Sequence, residues 1–160
     1  MRREMRRKDR AISEEEIKDI LQKGEYGILS TIGRDGYPYG LPLNYIYREE
    51  ENELMGVIYF HCAKEQGYKC ENMIFCDKVS FTVVGETEVL PDKFSMKYES
   101  VIVFGKVKQV LEDKEEILRE MIQKYSYMYK EEGEKYIKDA ISKTGVYKIE
   151  IEHMSGKRRK

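Results

Sequence analysis

The chain has 160 residues, enough for one domain that buries about 70% of its unfolded surface and short for two. Charged residues make up 37% and hydrophobic ones 41%, so the chain is polar without the apolar poverty of a disordered one. With 29 Lys and Arg against 30 Asp and Glu, the formal charge of −1 excludes a global field favouring nucleic acid or an anionic membrane.

The basic residues are unevenly placed. Six lie in the first ten residues (Arg2, Arg3, Arg6, Arg7, Lys8 and Arg10), and the chain closes on Lys157-Arg158-Arg159-Lys160. Either both ends are solvated tails, or one of them contributes to holding an anionic ligand. No stretch has the apolar length of a membrane span, and the basic N-terminus lacks the apolar segment of a signal peptide. A cytoplasmic protein is expected, and Cys62, Cys70 and Cys76, without a C-x-x-C pair, fit reduced thiols there.

Ser13-Glu14-Glu15-Glu16 is a capping box, followed by Ile17, Ile20 and Leu21 at helical spacing and ended by Gly24. Tyr26 to Ile32 reads as a strand, and Asp35-Gly36 as a hairpin turn. Residues 39–47 return as one alternating strand, with Tyr39, Leu41, Leu43, Tyr45 and Tyr47 on one face. Pro42 cannot donate to a ladder, so this strand has a free edge or a bulge. After an acidic turn at 49–53, Met55 to His61 forms a third strand. Glu65 to Phe75 suits a helix with Cys70, Met73 and Ile74 inward.

Val79 to Val89 is a fourth strand and Tyr98 to Leu111 a fifth. Val101-Ile102-Val103-Phe104 is apolar on both faces, which predicts cover on both sides and a nearby subunit interface. A helix begins at Asp113 and continues toward Ile141, with a break expected near Gly133. Thr144 to His153 closes the chain as a strand, with Tyr147, Ile149 and Ile151 inward. The expected fold is mainly β (α+β): a six-stranded antiparallel split barrel with peripheral helices, in one domain spanning residues 1–160 behind a basic tail at 1–10.

The stretch from Tyr59 to Lys69 carries the chemistry. A strand ends, a loop follows and a helix begins, with Lys64 before the helix and Lys69 in its second turn. Free N–H groups and a partial positive charge at a helix start suit a phosphate. His61 is one of two histidines and could transfer a proton near neutral pH; His153 reads as structural. No histidine–carboxylate spacing suits a metal, and no G-x-S-x-G, G-x-G-x-x-G or P-loop motif is present. Cys62 and His61 are adjacent on a strand and point to opposite faces, so they do not form a nucleophile–base pair.

Five segments resemble the nitroimidazole-resistance (Nim) flavoprotein family. They are Met5-Arg6-Arg7-Lys8-Asp9-Arg10, Pro42-Leu43-Asn44-Tyr45, Tyr59 to Lys69, Ser95 to Ile102 and Met154-Ser155-Gly156-Lys157-Arg158. They occur in order and span nearly the whole chain. The resemblance implies a fold like that of pyridoxamine 5′-phosphate oxidase, with FMN in the cleft of a homodimer. Lys64 and Lys69 would hold the FMN phosphate with His61, Cys62 and Ala63. Leu43, Asn44 and Tyr45 would border the isoalloxazine ring, and Ser100 and Val101 would approach from the other subunit. His61 would stand near flavin or substrate as the proton donor. The implied activity is transfer of electrons from a small donor to a small acceptor such as a nitroimidazole.

This chain departs from the family pattern at Cys62, where a serine is usual and a thiol is the weaker donor. It departs again at Glu99, where a basic residue is usual, and at Gln66-Gly67, which makes Lys69 a less direct match than Lys64. The absence of tryptophan and of an arginine-rich C-terminal signature argues against pyridoxamine phosphate oxidation itself. A non-catalytic FMN carrier or sensor is the alternative. A nucleic-acid-binding barrel using the basic ends is disfavoured by the neutral charge, so neither nucleic acid nor membrane is an expected partner.

Overall fold

The computed structural model describes residues 2–64 and 67–160. Its strands are β1 (Gly27–Ile32), β2 (Pro38–Leu43), β3 (Ile46–Glu50), β4 (Glu53–Ala63), β5 (Lys78–Leu90), β6 (Ser95–Val110) and β7 (Thr144–Arg159). Its helices are α1 (Glu14–Lys23), α2 (Tyr68–Phe75), α3 (Lys114–Tyr125) and α4 (Lys130–Ala140). All strands pair antiparallel in one sheet of order β2-β1-β5-β6-β7-β4-β3.

The sheet has seven strands where the sequence suggested six. The difference lies at residues 39–47, expected as one strand. The chain leaves β2 at Leu43 and enters β3 at Ile46, and these two strands are the opposite edges of the sheet. Three residue steps reach at most about 11 Å. The sheet must therefore curl until its edges nearly meet, giving a split barrel that is not closed. Pro42 lies on edge strand β2, where its missing N–H costs no ladder bond.

Leu29, Tyr45, Ile58, Phe60, Phe81, Val83, Val101, Val103 and Ile149 fill the barrel and are fully buried. Helix α1 covers one end with Ile17, Ile20 and Leu21, and its capping box forms as the sequence predicts. Gly24 ends it for reasons of space: a Cβ there would lie 2.3 Å from the Tyr45 hydroxyl. Helix α2 adds Cys70 and Met73, and Asn72 donates to the Thr31 hydroxyl at 3.0 Å. Ile74, expected inward, is instead exposed, because the helix begins at Tyr68 and its short inner stripe is complete without it. Residues 65–66, where that helix was expected to start, lie outside the described residues.

A second core sits outside the barrel, where Ile117, Leu118, Met121 and Ile137 of α3 and α4 pack on Ile46, Val57, Tyr59 and Val146. Arg48 ties β3 to α3 through Glu120 at 2.6 Å. The helical segment breaks at residues 126–129, not near Gly133. Gly133 lies inside α4 and is buried against Ile122, where a Cβ would come within 2.6 Å of that side chain.

Strand β7 runs six residues further than expected, to Arg159, because Ser155 to Arg159 continue the ladder with Tyr98 to Ile102 of β6. Lys157, Arg158 and Arg159 are thus sheet residues rather than a solvated tail. Val101 and Val103 face the core, while Ile102 and Phe104 remain 41% and 37% exposed on the other face, where the Arg2 guanidinium lies 4.5 Å from the Phe104 ring centroid.

Candidate functional site

The end of β4 sits where three elements meet. Pairing with β7 runs to Ala63↔Thr144, and the Lys64 N–H then donates to the Lys143 carbonyl at 2.9 Å. The alternation of β4 sends His61 outward and Cys62 inward. The Cys62 thiol is buried 3.8 Å from that of Cys70, and burial pushes its pKa up to about 12. The expected weakening through a thiol in place of a hydroxyl rests on a side chain that the structure turns into the core.

His61 keeps an exposed edge, with Nδ1 3.0 Å from the Met121 sulfur of α3. Desolvation, with a smaller contribution from the Lys69 ammonium, lowers its pKa below the ordinary histidine value. Its ring is therefore predominantly neutral at pH 7. Ala63 and Lys64 are exposed, and Lys69 is half-buried.

Gly67 caps α2 with φ +92° and ψ 163°, a conformation reserved for glycine, and gives no side-chain cap. The bonds to the Gly67 carbonyl come from Cys70 and Glu71, which leaves the N–H groups of Tyr68 and Lys69 without intrahelical partners. Free N–H groups, Lys64 and Lys69 make this junction fit for a phosphate.

Beside the end of β4, just past the Ile46↔Tyr59 pair, lies the link from β2 to β3. Leu43 is half-buried and Asn44 exposed. Tyr45 is entirely buried: its ring meets Phe81 edge-on and its hydroxyl donates to the Leu21 carbonyl at 2.6 Å. Tyr45 can offer a ligand its backbone only. That backbone is held by α3, since the Tyr125 hydroxyl accepts from the Tyr45 N–H at 3.0 Å and Lys124 Nζ donates to the Tyr45 carbonyl at 3.0 Å.

Ser100 is half-buried on β6 opposite Lys157, and Val101 is fully buried with its side chain in the core. Neither lies in the groove beside Asn44. Glu99 is not an uncompensated negative charge: Arg158 pairs with it at 3.0 Å and also reaches Glu16 at 2.6 Å.

A protein-family model described as pyridoxamine 5′-phosphate oxidase matches residues 13–158. The chain belongs to this family. No match was found among curated proteins. A candidate 5-nitroimidazole antibiotic resistance protein from Bacteroides thetaiotaomicron is 21% identical, with a TM-score of 0.68 over 92% of this chain and 85% of that one. A conserved hypothetical protein of Mycobacterium tuberculosis gives 0.76 at 21% identity over 98% and 91%. An FAD-binding protein of Mesorhizobium loti gives 0.64 at 21% over 94% and 98%. At these identities the likeness concerns the fold.

Sequence reasoning missed Met121, Lys124 and Tyr125 as neighbours of the site. Met121 and Tyr125 were legible only as an i, i+4 apolar pair on a helix. Nothing in the sequence said which strand end that helix would cover.

Proposed function

We propose that this member of the pyridoxamine 5′-phosphate oxidase family binds FMN between two copies of itself and reduces a small acceptor such as a nitroimidazole. The junction of β4 and α2 carries the proposal: two lysines, uncapped N–H groups and an exposed histidine within one strand end and one helix turn. Lys64 and Lys69 hold the phosphate with the α2 N–H groups and the backbone of His61, Cys62 and Ala63. Leu43, Asn44 and the Tyr45 backbone border the ring system. Ser100 and Val101 of the second copy complete the cleft through the backbone of β6.

Bound FMN supplies the redox chemistry, taking electrons from a small donor such as NAD(P)H. The protein supplies position, and the protonated form of His61, the minority form at pH 7, supplies protons from its exposed edge. Its lowered pKa sets a sign: the charged, donating form is lost as pH rises through that value. A pH profile of turnover with His61→Ala that coincides with wild type removes this role. The exposed Ile102 and Phe104 offer an apolar surface for the second copy. Three free thiols suit the cytoplasm.

The test is the visible absorbance spectrum after adding FMN and removing the excess. About one flavin per chain is expected for two equivalent sites in a dimer. Retention without turnover against any donor–acceptor pair would leave a flavin carrier or sensor, and no retention would overturn the proposal.

A further inference from the structure

A groove of about 870 Å³ is a different feature from the phosphate junction. It lies between the C-terminus of α1, the β2–β3 link and the end of α3, and Pro42, Leu43, Asn44, Tyr26, Lys124 and Tyr125 line it. Its volume falls in the range of small-molecule sites.

Lys124 is its chemical centre. The side chain is half-buried, and its Nζ sits 4.0 Å from the centroid of the Tyr45 ring and 5.1 Å from that of Tyr125. One proton goes to the Tyr45 carbonyl at 3.0 Å. Among the described residues no carboxylate pairs with this ammonium, whereas Lys23 on the same groove pairs with Asp19 at 2.9 Å. Buried charges are ordinarily paired, so a half-buried ammonium on a groove wall lacks its counter-charge. Burial alone lowers its pKa to about 8, an energetic cost that a bound anion would relieve.

We propose that this groove binds a small organic carboxylate, with Lys124 and Asn44 on the carboxylate and Pro42, Leu43 and Tyr26 against its apolar body. A planar carboxylate has two oxygens, which suits one ammonium beside one side-chain amide. Glu25 stands on the same groove and disfavours a dianion such as phosphate. Tyr26 and Tyr125 are the remaining titratable groups there. The groove shares Leu43 and Asn44 with the border proposed above for the flavin ring, whereas Lys124, which supplies its charge, is not among the residues proposed to hold FMN.

Benzoate is the probe, titrated calorimetrically into the purified full-length chain stripped of flavin, so that the outcome does not depend on whether FMN binds. Saturable binding of one benzoate per chain is expected. It should weaken about tenfold or more in Lys124→Met, which keeps the unbranched stem but loses the charged donor, and stay nearly unchanged in Lys23→Met. Absence of saturable binding overturns the proposal, as does an equal loss in both variants, which would indicate general charge attraction. A reading on the unaltered chain guards against misfolding of a variant. Benzoate saturation should raise the pKa of Lys124, followed by side-chain NMR, and an unmoved titration refutes the site.

Discussion

Replacing Tyr125 by phenylalanine removes one oxygen from the strap that holds the β2–β3 link. That hydroxyl accepts from the Tyr45 N–H at 3.0 Å and offers its single proton to the carbonyls of Tyr45 and Glu25 at 2.9 and 2.8 Å. The carbonyls have other recourse: Tyr45 keeps the Lys124 ammonium at 3.0 Å, and Glu25 is exposed to water. The Tyr45 N–H has none, so the cost falls on one buried donor left unmade, about 1–3 kcal/mol. Urea denaturation should show a lower midpoint with an unchanged slope. Adding Lys124→Met strips the Tyr45 carbonyl of both side-chain donors, so the double variant should be at least ~0.5 kcal/mol less stable than the sum of the two single effects, whatever the sign of the Lys124 effect. A single-variant loss below ~0.5 kcal/mol, with additive behaviour, would mean that water reaches this backbone and that the tyrosine is packing only.

Lys124→Met alone should not destabilise the chain at pH 7. The folded pKa of about 8 lies below the ordinary 10.5, so the unfolded chain holds the extra proton and wild-type stability rises through that window. The variant should start on the order of 1–2 kcal/mol ahead, after discounting for the open groove and the lost Tyr45 bond, and the gap should close by pH 10; a gap independent of pH refutes the assignment. Gly67→Ala meets no neighbouring atom but forces a side chain to φ +92°, so it should cost about 1–3 kcal/mol in denaturation and weaken flavin retention. In native protein an aromatic disulfide reagent should modify Cys76 fast and the buried Cys62 and Cys70 only on unfolding; three fast thiols would contradict the inward turn of Cys62. Phe104→Glu should convert the proposed dimer to monomer by sedimentation while leaving the monomer's melting temperature nearly unchanged, since the ring lies on the outer face; a wild-type chain that already sediments as a monomer refutes the dimer.

The strand content was legible because alternation is a local signal, and the capping box at Ser13 was legible because it is written in four consecutive residues. What failed was long-range. Residues 39–47 alternate without interruption, yet Tyr45 belongs to the barrel interior while the ladders on either side of it lead to opposite edges of the sheet. Periodicity cannot reveal a change of partner within an unbroken pattern. The basic C-terminus read as a tail because charge suggests solvent, but Arg158 spends its charge on Glu99 and Glu16, fifty-nine and 142 residues away in sequence. The strand-to-helix junction proposed to hold a phosphate was visible in Lys64 and Lys69. Its neighbour Lys124 was not, because the property that singles it out is the lack of a carboxylate in space.

The two-residue link at Asn44-Tyr45 explains why candidate chemistry gathers at one place. Joining opposite edges of a curled sheet leaves a seam where backbone cannot pair across strands. The fold closes the seam partly with side chains: the Tyr45 ring plugs the interior, Tyr125 and Lys124 satisfy its backbone from outside, and Asn44 remains turned to solvent. The end of β4 lies on the same side of this seam, since Met121 touches His61 and Tyr125 follows one helical turn later on α3. Helix α3 thus fixes both the histidine edge and the link with adjacent turns. A change that shifts α3 along its axis should disturb the His61 titration and the Lys124 groove together, whereas a change at Gly67 should leave the Lys124 groove intact.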